Sequence, residues 1–230
     1  MKRLLITLLV LTSLQVINAQ EQYSETTLLG DFKTLIVYAG IEVNLIKGDD
    51  NKIVISDNNL DRSTFGYKIK NKVLKLKSGI DKKLSLGKIF VDVYYKSEID
   101  EIKLFQGSKL LLKDTITQTN LNIKVKEGSS LEGYVVTEKI KIEVASGGSV
   151  TLTGNSLVVE IIANTGGICS TEELESEQTK ITANIGSVVY SKSSVLMDIK
   201  STTGSIVRVY GKPKKLITKT LLGGSIKQME

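Results

Sequence analysis

Residues 140–154 read IKIEVASGGSVTLTG, two alternating apolar runs joined by a glycine-rich turn. Ile140, Ile142 and Val144 alternate with charged residues before the turn, and a similar alternation resumes after it. Period-two alternation of β-branched residues is typical of half-buried strands. Glycine at the junction permits a positive φ, which a sharp corner between strands often requires. The stretch therefore predicts two strands that meet at one corner.

The same glycine corner recurs at a nearly fixed interval through the second half of the chain. Successive corners lie 18 to 21 residues apart, and alternating strands fill the intervals. The chain therefore returns to one corner after each turn of a coil. A single coil buries little apolar surface, so the coils must stack to form a core. The predicted corner residues are Gly107, Gly128, Gly148, Gly167, Gly186, Gly204 and Gly224.

These repeats predict an all-β protein, a single-stranded β-helix-like solenoid with coils of about 20 residues. Regular repeats are expected over residues 99–228. Residues 29–98 lack the glycine period, and we expect them to form a less regular N-terminal β cap with a hairpin turn at Asn71-Lys72. No Pro- or Ser-rich linker divides the two parts, so residues 29–228 are predicted to form one domain.

Several segments are predicted to lie outside regular strands. Residues 20–28 are expected to form an N-terminal extension. Wide turns are expected at residues 57–63 and 78–86. The Glu-rich stretch at residues 171–179 shows weak helical character, and we interpret it as a longer loop.

The N-terminus has the order of a secretory signal peptide. Lys2 and Arg3 precede an apolar run, and the polar sequence begins after Ala19. This order predicts cleavage of residues 1–19. The apolar run is shorter than the ~20 residues that span a bilayer, so no transmembrane segment is predicted in the mature chain. We expect an exported protein of the periplasm, the outer membrane surface or the medium.

Composition excludes several classes of function. The chain has no His, which rules out Ser-His-Asp and Cys-His catalysis, and its one cysteine, Cys169, cannot form an internal disulfide. Cys169 is predicted to lie in the core. Removing Lys2 and Arg3 leaves 29 basic against 25 acidic residues. That mild excess, without interleaved aromatic residues and in an exported chain, argues against nucleic-acid binding.

An acidic cluster is the first candidate site. Carboxylates on one loop can hold Ca²⁺, but such loops normally add Asp, Asn and Gly at fixed spacing, which this stretch lacks. A solvated turn is therefore the favoured interpretation, and the sequence predicts neither a metal nor a cofactor. The cluster consists of Glu172, Glu173, Glu175 and Glu177.

A basic cluster surrounds the only Pro and is the second candidate site. It can attract an anionic polysaccharide or a lipid headgroup, or it can keep the last coils from pairing with another molecule. The protective role is favoured, and surface binding stays an alternative. The cluster consists of Lys212, Lys214, Lys215 and Lys219.

Asp49, Asp50 and Asp57 are the third candidate, since a polysaccharide-cleaving enzyme needs carboxylates across a groove. Adjacent residues on a strand face opposite sides, so only a turn can aim Asp49 and Asp50 at one ligand. Gly48 to Asn51 reads as such a turn. A plain turn is the favoured interpretation, and no catalytic residue is predicted.

The motifs at both ends resemble those of the putative auto-transporter adhesin, head GIN domain family. Phe32 to Val37 with Gly40 to Leu45 is similar to the start of that family, and Val209 to Pro213 with Gly223 to Ile226 is similar to its end. The resemblance covers residues 29–228. It implies a right-handed solenoid exported by Bacteroidota and related bacteria, and it brings no catalytic residues.

One departure from the family concerns the residue at each corner that is commonly Asp. Here that position is apolar, which puts a ligand role of stacked corner Asp in doubt. The replacing residues are Val150, Val188, Ile206 and Ile226.

Three functions remain open from the sequence. The first is a non-catalytic adhesin or scaffold that binds an envelope or host protein or polysaccharide through the flat faces of the solenoid. The second is a carbohydrate-active β-helix enzyme. The third is self-assembly into a homo-oligomer through the solenoid ends.

Overall fold

A computed structural model describes residues 25–55, 65–78 and 89–229. It contains strands and no helix in these ranges. The strands are β1 Glu25–Leu28, β2 Thr34–Val37, β3 Glu42–Lys47, β4 Lys52–Ile55, β5 Phe65–Lys70, β6 Val73–Ser78, β7 Phe90–Tyr95, β8 Glu101–Leu104, β9 Lys109–Leu112, β10 Ile116–Val125, β11 Ser130–Ala145, β12 Ser149–Asn164, β13 Ile168–Thr171, β14 Leu174–Ala183, β15 Val188–Lys192, β16 Leu196–Thr202, β17 Ile206–Tyr210, β18 Lys215–Leu221 and β19 Ser225–Gln228.

The strands wind into a β-solenoid of about seven turns with a spacing of about 19 residues, as predicted. One parallel ladder, the first face, contains β6, β2, β8, the second halves of β10, β11, β12 and β14, and then β16 and β18. The second face contains β7, β3, β9, the beginnings of β11 and β12, and then β13, β15, β17 and β19. A short third side is formed where β10, β11, β12 and β14 pair near their middles or starts.

Inward side chains of successive coils lie directly over one another. On the first face the register stacks buried isoleucines in six coils, and each contacts its neighbours in the coils above and below. Full burial of such a side chain stabilises the fold by about 1.5–3 kcal/mol. This stack consists of Ile102, Ile123, Ile142, Ile161, Ile181 and Ile199.

Cys169 belongs to the corresponding stack on the second face. It lies between Val150 and Val189 in register and is 0% exposed. Burial raises the pKa of its thiol, and the Glu172 carboxylate nearby adds to that effect. The side chain is a core residue, as the sequence predicts.

The first and second faces are joined by a tight turn that repeats eight times in the described residues. Its two central residues both have positive φ, as in Ser146 and Gly147 with φ values of 53° and 70°. The turn closes with a hydrogen bond across it, for example from the Gly148 N–H to the Ala145 carbonyl at 3.0 Å. Two positive φ values in succession define the type I′ pattern, which favours glycine at the second position.

The turn glycine is displaced by one residue from the predicted one wherever two glycines stand together. The positive-φ glycines there are Gly147 and Gly166, and Gly223 in the last coil. Gly148 and Gly167 follow their turns, and a Cβ at either position would lie within 2.7 Å of a backbone carbonyl oxygen of the previous coil. The complete set of turn glycines in the described residues is Gly40, Gly107, Gly128, Gly147, Gly166, Gly186, Gly204 and Gly223.

The N-terminal part is less regular, as predicted. The chain enters at β2 and β3, which lie between the β6–β7 coil and the β8–β9 coil. Antiparallel pairing closes this end of the solenoid, since β4 pairs with β7, β1 with β4, and β5 with β6. The hairpin at Asn71 and Lys72 is confirmed, and both residues have positive φ.

The prediction of a loop at residues 171–179 is wrong. Leu174–Ala183 is strand β14, which pairs with β12 and β16 on either side. Buried Leu174, Ser176 and Thr179 face inward, while Glu175 and Glu177 face solvent. Neighbouring coils supply the backbone partners that override the low β propensity of Glu.

Other predicted segments lie partly or wholly outside the residues that the structure describes. The predicted signal peptide and the wide turn at 57–63 lie outside the described residues, as does the turn after Ser78. Of the predicted extension at 20–28, Glu25–Leu28 is part of the sheet as β1.

Candidate functional site

The second face contains a groove where small outward side chains lie between large ones. Moving along the solenoid axis, one row of outward residues runs from Phe90 through Glu42 and Lys109 to Ser130 and Ser149. The next residue in this row is the larger Ile168. The two serines leave a depression of about 430 Å³ that crosses five strands.

A second row of outward residues forms the other side of the groove. It includes Asn44, Leu111, Glu132 and Thr151, two positions further along the same strands. Asp92 lies beside Asn44 in this row, and the Asn44 amide donates a hydrogen bond of 2.7 Å to its carboxylate. Because strand neighbours alternate, the residues between the two rows face the core, as Leu131 does.

The groove is lined by more acidic than basic groups. Lys109 Nζ lies 3.6 Å from Glu42 Oε1, so the one lysine among the described residues that line the groove is paired with a carboxylate. Glu132 adds a further carboxylate at the opposite side. The surface is therefore of mixed polar and apolar character and mildly acidic at the described residues, with hydroxyl groups at its floor.

Phe90 supplies an exposed aromatic ring at one end of the groove. Its side chain is 48% exposed, whereas its strand neighbours Ile89 and Val91 are buried. The outward position in β7 fixes this orientation, because the inward positions of that strand pack into the core.

The first face differs from the second in its electrostatics, because its charged side chains pair with one another. Lys124 Nζ lies 3.0 Å from Glu143 Oε2, and Lys141 Nζ lies 3.7 Å from Glu143 Oε1. The hydrogen bond from Lys124 lowers the pKa of the Glu143 carboxyl below its usual value. This face is a ladder of mutually compensating charges, and two depressions on it at the described residues measure about 210 and 310 Å³, less than the groove of the second face.

The structure places the predicted basic cluster together at the C-terminal end. All four lysines are exposed: two lie in the connection after β17 and two on β18, the last strand of the first face. They lie away from the second-face groove. The residues are Lys212, Lys214, Lys215 and Lys219.

The predicted acidic cluster does not form one loop. Glu172 and Glu173 occupy the turn before β14, while Glu175 and Glu177 project from the strand itself. Glu175 accepts a hydrogen bond from Lys192, which raises the pKa of that lysine. In the parts of the chain that the structure describes, no group of three His, Cys, Asp or Glu residues suits a metal ion.

Asp49 and Asp50 lie in an exposed bend between β3 and β4. The adjoining Asn51 is buried and fixes this bend through its side chain, which donates to Asp31 and accepts from the Lys96 N–H. Asp57 lies outside the described residues.

Sequence reasoning missed the groove altogether. Glu42 and Lys109 are adjacent only because the β2–β3 coil inserts beside the β8–β9 coil, and Phe90 is adjacent to Glu42 for the same reason. The run of small outward residues at Ser130 and Ser149 was visible in the sequence, but its neighbours in space were not.

The comparisons with known proteins agree with this architecture. The family described as "Putative auto-transporter adhesin, head GIN domain" matches residues 31–213. The chain belongs to that family. No curated protein gives a significant match.

Solved structures share the fold of this head GIN protein. A putative adhesin from Bacteroides fragilis NCTC 9343 superposes with a TM-score of 0.82 at 13% identity, and one from Parabacteroides distasonis ATCC 8503 with 0.72 at 16%. A putative lipid binding protein from the latter organism gives 0.66 at 11%. Each likeness covers 90% of this chain and 96% of the other. At these identities the likeness establishes the fold alone.

The head GIN match ends at residue 213, just before β18. The groove on the second face therefore lies within the matched region, and the last two strands lie beyond it. Among the described residues, we find no helix with the length and apolar character needed to cross a membrane.

Proposed function

We propose that this head GIN protein is an exported, non-catalytic binding module of the bacterial cell envelope. Its partner is an envelope or host polysaccharide or protein, held in the groove on the second face. The observation that carries the proposal is the groove itself, a depression of about 430 Å³ that combines hydroxyl, carboxylate and aromatic groups. The adhesin family to which the chain belongs supports the same role.

Rigidity suits the second face to recognition. The groove residues project from strands whose inward neighbours are packed in the core, so binding orders few additional groups. The first face is less suited, because its lysines and glutamates already compensate one another. A partner there must first displace these ion pairs.

The chemistry of the groove supports binding without catalysis. The chain has no His to act as a general base. Glu42 and Glu132 lie on opposite sides of the groove, but Glu42 is paired with Lys109, whereas a glycosidase needs both of its carboxylates available at the scissile bond. The enzyme alternative is tested directly by looking for released products in every binding measurement.

The location follows from the proposed export. A protein that binds envelope or host surfaces acts in the periplasm, on the outer membrane surface or after secretion. Cell fractionation combined with protease treatment of intact cells separates these three compartments.

The test uses the purified mature chain, residues 20–230, and isolated bacterial envelopes. We expect saturable binding without release of sugar or peptide products. Thr151→Tyr fills the floor of the groove and is expected to reduce binding strongly. Thr182→Tyr is the matched control, because Thr182 is an outward threonine on the first face.

Equal binding by Thr151→Tyr and Thr182→Tyr would show that the partner does not bind in the groove of the second face. Product release at enzymatic rates would instead support the carbohydrate-active alternative. Circular dichroism of both variants verifies that the fold is retained.

A further inference from the structure

We propose that the second-face groove takes an extended, neutral oligosaccharide, with the Phe90 ring as its stacking platform. This inference rests on the proposed binding function and specifies its ligand. The groove combines an exposed ring, hydroxyl groups and amide or carboxylate groups along one line.

The apolar part of the argument concerns Phe90. A sugar ring presents C–H groups on its faces and hydroxyls around its edge. An aromatic side chain that is 48% exposed at the end of a polar groove offers a flat surface for such a face. Burial of the ring under the sugar removes apolar surface from water on both partners.

The polar part concerns the floor and its edges. Ser130, Ser149 and Thr151 contribute hydroxyls, which can both donate and accept hydrogen bonds. The Glu132 carboxylate accepts, and the Asn44 amide is held in place by its hydrogen bond to a neighbouring carboxylate. Sugar hydroxyls also donate and accept, so this mixed lining complements them.

Charge selects against an acidic sugar. Among the described residues, Glu42, Asp92 and Glu132 are at or beside the groove, against one basic residue, Lys109, whose ammonium lies 3.6 Å from Glu42. Sulfate or uronate groups placed here meet carboxylates of the same sign. A neutral glycan meets no such repulsion.

The length of the groove favours a chain of several sugar units over a monosaccharide. The row from Phe90 to Ser149 crosses β7, β3, β9, β11 and β12. Four spacings between neighbouring strands make about 19 Å at ~4.8 Å each. A single ring at Phe90 would leave the serine floor unused.

The experiment measures binding of four hexasaccharides to the mature chain by calorimetry. The neutral probes are cellohexaose, chitohexaose and mannohexaose, and the anionic probe is a heparin-derived hexasaccharide. We expect saturable binding of at least one neutral probe and weaker binding of the anionic one. Phe90→Ala and Ser149→Tyr are each expected to weaken neutral binding by about tenfold or more.

Tyr134→Ala is the matched control for Phe90→Ala. Tyr134 is a similarly exposed aromatic residue at 46%, and it lies on β11 outside the groove lining. Its loss is expected to leave the affinity unchanged. Neutral binding that survives Phe90→Ala, or preference for the sulfated probe, overturns the inference.

If no hexasaccharide binds, a second experiment with treated envelopes tests whether the ligand is an oligosaccharide. Isolated envelopes are treated either with periodate, which cleaves vicinal diols of sugars, or with proteinase K. Binding lost after periodate but kept after the protease, and still sensitive to Phe90→Ala, supports the oligosaccharide. The reverse pattern overturns it and leaves the proposed binding module intact with a protein partner. Absence of binding to untreated envelopes overturns both proposals.

Discussion

At the scale of single residues, the turns between the two faces make two separate demands. The residue with positive φ needs conformational freedom, whereas the residue after it needs space against the previous coil. At Gly147 a Cβ would meet open space, but at Gly148 it would lie 2.6 Å from the Val125 carbonyl oxygen. The sequence period could not separate the two roles, because these glycines are adjacent and either fits the interval.

Substitution at the two positions is expected to have unequal effects. Gly148→Ala forces the backbone of two coils apart, and we expect a loss of about 2–3 kcal/mol in the free energy of unfolding. In Gly147→Asn the new side chain meets open space, and Asn tolerates positive φ. We therefore expect a loss below about 1 kcal/mol in the free energy of unfolding. Urea denaturation measures both. Equal losses would contradict the one-residue distinction.

Cys169 is expected to be unreactive while the protein is folded. Its thiol is 0% exposed and its pKa is raised by burial, so the thiolate does not form at pH 8. Labelling with a thiol reagent should follow global unfolding, with an introduced Glu127→Cys thiol as the exposed control. Fast native-state labelling at Cys169 would be inconsistent with its place in the core.

The same thiol makes stability depend on alkaline pH. Its pKa is raised in the folded state, so its contribution to stability is complete below the ordinary thiol pKa of 9.0 in the unfolded chain. Above that value the unfolded state ionises first, and stability falls as pH rises further. Cys169→Val is expected to reduce this fall, measured by denaturation between pH 7 and 10.

At the scale of elements, β14 shows where sequence patterns are insufficient. Its alternation was hidden because the inward residues before Ile181 include Ser176 and Thr179. These hydroxyls hydrogen-bond to each other at 2.7 Å, and Ser176 also donates to the Lys192 carbonyl. The core is polar at this corner, so apolar periodicity could not reveal the strand. Strands with inward Ile and Val, such as β10 to β12, were predictable for the opposite reason.

Removal of the Ser176 hydroxyl tests that local network. Ser176→Ala leaves the buried Thr179 hydroxyl and the Lys192 carbonyl with one partner fewer. We expect a loss of about 1 kcal/mol in the free energy of unfolding. Glu177→Ala, an exposed neighbour on the same strand, should change it by less than about 0.5 kcal/mol. Similar values for both variants would argue that the network contributes nothing.

At the scale of the whole molecule, the two ends of the solenoid differ. Antiparallel strands β1, β4 and β5 close the N-terminal end, while β18 and β19 leave a parallel edge at the other. The coil period predicted the body of the solenoid. The insertion of β2 and β3 between later coils, which builds the groove, depends on contacts distant in sequence and was not predictable.

The exposed lysines on β18 are expected to limit pairing at the open edge. Lys215→Thr with Lys219→Thr removes two charges from the last strand and should give a molecular mass that rises with concentration in light scattering. Lys139→Thr with Lys200→Thr removes the same charge from β11 and β16, which pair with a strand on each side, and should leave the molecular mass independent of concentration. If the Lys215→Thr, Lys219→Thr variant stays monomeric at all concentrations, the two lysines do not prevent pairing at the open edge.

The repeated turns form a continuous line of hydrogen bonds parallel to the solenoid axis. The Gly107 N–H donates to the Glu127 carbonyl at 2.9 Å, the Gly128 N–H to the Ser146 carbonyl at 3.1 Å, and later coils repeat the contact. Tension applied between the chain ends therefore loads one coil at a time, starting where the edge is open. Each coil of about 19 residues releases about 65 Å of chain when it detaches. A solenoid built in this way is expected to yield stepwise under tension while its remaining coils stay folded.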